Sequence, residues 1–358
     1  MVNVSKVYFP DKQKFLNYVE KVYESGWLTN NGPLVQELEK RLAKHLGVKN
    51  LLCVSNGTTA LQLSYKLLQL KGEVITTPFS FVATTSSIKW EGLDPVFTDI
   101  DPETFNIDPV KMEKSLSVKT SAIVPVHVFG NACEIEEIDR IAKKNSLKVI
   151  YDASHAFDVK YKNESILNYG DISVISFHAT KFFHTIEGAA IVVKDDDLYE
   201  KAKIVRNFGL DDQNTVKTLG INAKMNELEA AMGLCVLDEI DTILAQRKKS
   251  HDYYAAHLKD YVQLQRITKD ASQSYSYFPI VLRSEEELEN VRNALLAEAV
   301  SPRQYFYPSL DTLPYVKLRQ VMRNSRDIAG RILVVPMHSG IEAAVSKIII
   351  ETLHKQRR

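Results

Sequence analysis

Residues 51–68 read LLCVSNGTTALQLSYKLL: four apolar residues, Leu51 to Val54, break at Ser55-Asn56-Gly57-Thr58-Thr59 and give way to Ala60, Leu61, Leu63, Leu67 and Leu68 at helical spacing. A short apolar run, a turn and an amphipathic stretch make a strand–turn–helix unit. Upstream, Leu34, Val35, Leu38, Leu42 and Leu46 repeat at helical spacing, and Gly47 supplies a stop. Downstream the alternation continues through Val74–Thr76, Val96–Thr98, Ala122–Val126, Val149–Tyr151 and Ile172–Ser176, with helix-like stretches such as Glu134–Lys144 between several of them. Short buried strands alternating with helices predict an α/β fold whose mainly parallel sheet is covered on both faces.

The 358 residues suit one large domain and one smaller one. Asn222–Glu239 reads as a helix with Leu228, Ala231, Met232 and Leu237 inward, and beyond it come long polar helices and isolated strands such as Tyr277–Leu282. A boundary near 241 follows, with a large domain over 1–240 and a smaller C-terminal α+β domain over 241–358. An apolar fraction of 45% and a charged fraction of 25% are globular values. Lys plus Arg and Asp plus Glu balance at 45 each, so the electrostatic excess of a nucleic-acid or anionic-membrane binder is missing. The opening MVNVSKVYFPDKQKF has no apolar signal core, and no stretch approaches the ~20 apolar residues that cross a bilayer. A cytoplasmic location is the expectation. Cys53, Cys133 and Cys235 are odd in number and far apart, which argues for buried thiols over a disulfide framework or zinc ribbon. HExxH, GxSxG, Walker A and GxGxxG patterns do not occur, so metalloprotease, hydrolase, nucleotide-hydrolysing and dinucleotide readings lose their signatures.

Ligands of open α/β sheets bind at the carboxyl ends of the strands. Ser55 to Thr59 at the first such end offers hydroxyls and helix N-terminal amides to a phosphate; the plainer alternative is a helix cap by Thr58 or Ser55. Asp152 ends a strand that would be buried on both faces, where an unpaired carboxylate costs several kcal/mol. A protonated pyridine nitrogen would serve it as partner, and so would a nearby Lys or Arg, or a helix amide. His155 is either a hydrogen-bond partner for a ring substituent or a core histidine. Lys181, framed by Phe177-His178-Ala179-Thr180 and Phe182-Phe183-His184-Thr185-Ile186-Glu187-Gly188, sits among apolar groups that disfavour its charged form, as a Schiff-base amine requires. Ser176 and Thr180 add hydroxyls.

In this order the pieces resemble the DegT/DnrJ/StrS family of sugar aminotransferases, from Ser25-Gly26-Trp27-Leu28-Thr29 through Leu237 and more weakly to Tyr305–Pro308 and Pro336–His338. The resemblance implies the aspartate-aminotransferase-type fold of fold type I pyridoxal-phosphate (PLP) enzymes, acting as homodimers. It implies Lys181 as the Schiff-base lysine, Asp152 on the pyridine nitrogen, Phe81 against the cofactor ring and His155 near its hydroxyl. Gly57, Thr58 and Ser176 would bind the phosphate, with Asn222 reaching in from the other subunit. Ala189 departs from the family, where a second glycine usually follows Gly188. His178 to Glu187 looks most like the branch that aminates C4 of a dTDP-4-keto-6-deoxyhexose with L-glutamate as donor, the PLP and pyridoxamine forms alternating. Related branches aminate C3 or use UDP- or GDP-linked sugars, a dehydratase branch replaces the lysine by histidine, and a regulator without turnover would have little reason to keep Lys181 and Asp152 together. For the sugar nucleotide the expected contacts are Trp27, Leu28, Thr29, His184, Arg303 and Tyr305, the last of which also reads as core.

Overall fold

Alternate residues of each short apolar run point to opposite faces, and two separate cores receive them. The computed structural model describes residues 1–317 and 320–356. Its central sheet contains β1 (Leu51–Val54), β2 (Glu73–Thr76), β3 (Asp94–Phe97), β4 (Thr120–Val124), β5 (Lys148–Asp152), β6 (Ile172–Ser176) and β7 (Ala189–Val193), in the spatial order 1-7-6-5-4-2-3. Leu51 and Cys53, Val149 and Tyr151, and Ala190 and Val192 enter one core, with helices Pro33–Leu46, Ile135–Lys144 and Glu227–Asp238. Leu52 and Val54, Ile150, and Ile191 and Val193 enter the other, with helices Gly57–Leu67 and Asp196–Arg206. Burial on both faces explains why these strands are apolar throughout. The three cysteines are free and buried.

β7 runs antiparallel to both β1 and β6, while the other adjacent pairs are parallel. The carboxyl ends of β1 to β6 therefore share one edge. The sequence reading missed β7: its five residues, Ala-Ala-Ile-Val-Val, follow a loop with no helical segment to announce a new strand. It also began one helix too early. Asn226 and Glu229 form a reciprocal capping box that starts the helix at Glu227. Residues 222 and 223 pair instead with Asn207 and Ser55. Leu228, expected inward, is 40% exposed, whereas Ala231, Met232 and Leu237 are buried.

The second unit is an antiparallel sheet of β8 (Gln263–Leu264), β9 (Phe278–Val281) and β10 (Ile332–Val335), with helices Ile240–Leu258, Glu285–Ala297 and Ala343–Lys355 packed on it. Ile240 and Ile243 of the first of these helices belong to the core of the large sheet, and Tyr254 and Leu258 to the core of the small one. Residues Val2–Asn3 pair with Val300–Ser301, so the start of the chain joins the C-terminal unit. Phe79, Phe105, Phe129, Tyr305, Phe306 and Val334 pack together between the two units.

Helix Pro33–Leu46 begins at Gly32, which has no capping side chain. The carboxylate of Glu227, distant in sequence and buried, accepts from Leu34 N at 2.8 Å and Val35 N at 3.0 Å, and its own N–H donates to Leu28 O at 3.0 Å. A carboxylate here meets both the unpaired amides and the positive end of the helix dipole. The same residue thereby fixes the Trp27–Thr29 segment. Replacing Glu227 by Ala would leave two buried N–H groups without acceptors, with an expected loss of about 2–4 kcal/mol of unfolding free energy in urea titration. A loss under about 0.5 kcal/mol would contradict this anchoring role.

Candidate active site

At the end of β1, Asn56 caps the helix Gly57–Leu67 by accepting from Thr59 N at 2.9 Å. Asn56 does so rather than Ser55 or Thr58, because its side-chain oxygen stands three residues before the third helical amide. The amides of Gly57 and Thr58 have no acceptor within the helix, and Thr58 is exposed. A methyl built on Gly57 would stand 3.5 Å from Ser176 Cβ, so the end of β6 abuts this helix start. Ser55 N donates to Ala223 O at 2.9 Å, which brings Asn222 beside the same edge, exposed to solvent.

Asp152 ends β5 and is 5% exposed. Thr84 Oγ1 donates to its Oδ2 at 2.9 Å, and Ser154 donates to Oδ1 through its hydroxyl at 2.6 Å and its amide at 3.1 Å. Ser80 Oγ lies 2.8 Å from Thr84 Oγ1. No cationic side chain among the described residues pairs with this carboxylate, so neutral donors hold it ready for a positive partner. Three residues on, His155 is buried beside two aromatic rings whose planes parallel its own, Phe306 at 5.5 Å and Phe129 at 6.2 Å between centroids. Its Nδ1 is buried without a hydrogen-bond partner. Burial, and then the charge of Lys181, hold its pKa well below the ordinary histidine value, so the ring is neutral.

Lys181 is half-buried, and its Nζ donates to Tyr277 Oη at 3.4 Å. The Tyr277 ring stands edge-on to His155 at 4.8 Å. Lys181 therefore reaches the His155 wall of the site through a tyrosine from the second unit. The loop that carries it is closed by Phe177 N to Gly188 O at 2.9 Å, Thr185 N to Phe177 O at 2.9 Å and Ala179 N to Ile186 O at 2.7 Å. Phe182 and Phe183 are buried anchors, Phe183 stacking on Phe157 at 4.5 Å. Ala189 is buried within β7, its extra methyl accommodated in the ladder with Val54 and Ser176.

Tyr305 is buried with its ring 6.1 Å from His155 and 6.5 Å from Phe81, which is 48% exposed. Arg303 is exposed and lies over the Tyr305 ring at 4.4 Å. Trp27, Leu28 and Thr29 are exposed on the segment that Glu227 fixes. His184 departs from the expected substrate contact: it is 1% exposed, its Nε2 lies 2.7 Å from Tyr8 O, and its Nδ1 accepts from Ile186 N at 3.3 Å. Both nitrogens serve backbone groups. Thr84 and Tyr277 went unnoticed as candidate site residues in the sequence. Thr84 lies inside a helix and Tyr277 at the edge of a strand, and neither carries a local motif.

The profile of the DegT/DnrJ/EryC1/StrS aminotransferase family matches residues 10–354. The chain belongs to this family. It is 41% identical over 359 aligned residues to the dTDP-4-amino-4,6-dideoxy-D-glucose transaminase of Shigella dysenteriae, covering 98% of each chain. It is 36% identical over 356 residues to the transaminase of the same name from Escherichia coli, covering 96% of this chain and 95% of the relative. Among solved structures it superposes on DesI, crystallised in the presence of its TDP-sugar product, with a TM-score of 0.92 and 32% identity, over 99% of this chain and 93% of DesI. The chain is a sugar aminotransferase of that α/β fold.

The aminotransferase's residues fit a phosphorylated pyridine aldehyde: a buried carboxylate with no cation among the described residues, a buried imidazole nitrogen without a hydrogen-bond partner, a lysine that meets the tyrosine beside that imidazole, and amides without an acceptor at a helix start. The neutral histidines also govern acid stability. Burial pushes His127 down to about 3, its Nδ1 accepting from Cys133 N at 3.0 Å and its ring stacked on Tyr151. His127 and His155 stay neutral when folded but take a proton near pH 6.5 when unfolded. Their stabilisation is complete above that pH and is lost as pH falls toward the folded values, by about 1.4 kcal/mol per pH unit for each fully differing proton. Unfolding free energy from urea titration should thus fall between pH 6.5 and 5. A flat profile over that interval would sink the assignment of both rings as neutral.

Proposed function

We propose that this aminotransferase moves the amino group of L-glutamate to C4 of dTDP-4-keto-6-deoxy-D-glucose, with pyridoxal 5′-phosphate bound at Lys181. The observation that carries the reading is Asp152, a buried carboxylate held by neutral donors and lacking a cation among the described residues. When bound, the cofactor supplies the electron sink and the amino-group carrier. Asp152 holds a proton on the ring nitrogen, and Thr84 and Ser154 orient its two oxygens. His155, neutral, would find in the ring hydroxyl the partner its Nδ1 lacks. The amides of Gly57 and Thr58 and the hydroxyl of Ser176 would hold the phosphate, and Phe81 would cover the ring. Once released from the cofactor, the Lys181 amine would be the group that accepts a proton from the donor carbon and gives one back in the return half of the exchange.

The similarity to two dTDP-4-amino-4,6-dideoxy-D-glucose transaminases supports the dTDP sugar and the C4 position. Trp27, Leu28, Thr29, Arg303 and Tyr305 are the sugar-nucleotide contacts; His184 positions the loop instead. Exposed Trp27, Leu28 and Leu228, and exposed Phe208 and Ile221 beside Asn222, support a homodimer in which Asn222 completes the neighbouring site. The protein works in the cytoplasm, in deoxyamino-sugar biosynthesis that feeds surface polysaccharide such as the O-antigen of lipopolysaccharide.

Asp152→Asn keeps an acceptor oxygen for Ser154, and its amide nitrogen can donate to the Thr84 hydroxyl, but the charge is gone, so a folded variant should lose at least about a hundredfold in turnover, equal to about 2.7 kcal/mol in the barrier. Turnover near that of the parent enzyme would remove Asp152 from the mechanism. For the substrate, the enzyme is incubated with L-glutamate and the 4-keto or 3-keto dTDP sugars and their UDP and GDP counterparts, and the aminated carbon is located by NMR. Amination at C4 of the dTDP sugar is expected. Amination only at C3, or only of a UDP or GDP sugar, would overturn the specificity; amination of none would overturn the reading as a whole.

A further inference from the structure

Among the described residues two arginines, Arg206 and Arg247, are buried, and their surroundings differ. Arg206 faces Glu39, Nη1 to Oε1 at 2.7 Å. Arg247, at the middle of helix Ile240–Leu258, is 7% exposed and has no carboxylate partner among the described residues. Its Nε donates to Tyr275 O and its Nη2 to Ser276 O, each at 2.6 Å, and its guanidinium lies 5.3 Å from the Phe182 ring centroid. Two carbonyls fix the fork without neutralising it, which leaves a buried charge of the kind proteins seldom tolerate unpaired. Burial, only partly offset by Tyr277, lowers its pKa to about 10.

Arg247 lines a narrow cleft with Lys181, and the third cation of the lining is Lys6 from the N-terminal segment; no Asp or Glu lines it. Lys6 is exposed and has no carboxylate partner among the described residues. The three positive groups come from three separate parts of the chain and meet at the Schiff-base lysine. The pKa of neighbouring His338 is lowered by its burial first and then by the charges of Lys6 and Arg247, so both cations act on one spot. Phe182, Val335 and Met337 add apolar lining to the same cleft.

We propose that this cleft is the seat of a carboxylate of the amino-acid donor, with Arg247 as its buried partner and Lys6 as a second, exposed cation. The site rests on the aminotransferase reading given above and adds the residues that recognise the donor. A planar carboxylate matches the guanidinium fork and brings the anion that Arg247 lacks. A diphosphate offers the same charge, but it must continue into a sugar on one side and a nucleoside on the other. A narrow cleft with apolar lining beside its cations suits a terminal group better than a bridge that must continue on both sides.

The test measures binding to the purified holoenzyme by calorimetry, with glutarate as an unreactive dicarboxylate and dTDP as the diphosphate probe. Lys6→Gln and Arg247→Lys are compared with the parent, and circular dichroism checks that each folds. The expected result is a glutarate Kd raised about tenfold or more in Arg247→Lys and about threefold in Lys6→Gln, with the dTDP Kd within about twofold of the parent. Should Arg247→Lys not fold, Lys6→Gln decides, since that side chain makes no hydrogen bond or ion pair among the described residues. Unchanged glutarate affinity in the folded variants, or no glutarate binding to the parent, overturns the site. A fall in dTDP affinity of equal or larger size also overturns it and assigns the cations to the phosphates. Glutarate recognition that follows the variants in an enzyme that aminates no sugar would leave the carboxylate site standing and reject the sugar reading.

Discussion

The buried carboxylate of Asp152 is the constraint around which the site is arranged. A negative charge at the end of a strand covered on both faces needs hydrogen-bond donors, and Thr84 and Ser154 supply three, one on Oδ2 and two on Oδ1. Thr84 can do so only because helix Val82–Trp90 follows directly on the Pro78-Phe79-Ser80-Phe81 turn. Because these donors are neutral, the charge is oriented without being cancelled. A cationic ring in front of it therefore gains nearly the whole interaction.

The second unit completes what the sheet begins. Tyr277 meets Lys181, while Tyr305 and Phe306 close on His155, so the wall opposite the sheet is built by residues about a hundred or more positions later in the chain. The aromatic cluster of Phe79, Phe105, Phe129 and Phe306 holds the two units against each other where this wall stands. Packing of that kind resists small displacements, because rings in contact cannot slide without losing dispersion contacts. The electrostatics of the site and the rigidity of the joint thus have a common origin in a few aromatic side chains.

The sheet was readable in the sequence where a distinct apolar run stood out from its surroundings, as with Leu51–Val54 ahead of Gly57–Leu67. It was not readable at β7, whose neighbours in the sheet are set by a loop closed through backbone bonds that leave no mark on composition. Asp152 and Lys181 stood out because each placed a charge beside an apolar run. His184 misled for a related reason: its position beside the lysine loop resembled that of a ligand contact, and only the fold reveals that Tyr8 and Ile186 occupy both nitrogens. Thr84, Tyr277 and the solitary state of Arg247 depend on what arrives from distant segments, and local pattern carries no information on that.

The reversed strand β7 has a mechanical consequence. Because it leaves from the same edge at which β6 arrives, the segment carrying Lys181 is a hoop with both feet in adjacent strands, cross-braced from Phe177 to Gly188 and from Ala179 to Ile186. A hoop clamped at two neighbouring points has little freedom to swing as a hinged flap would. The amine's travel during turnover is then confined to the flexing of its own four-carbon tether, and the reacting carbons must be delivered within that radius.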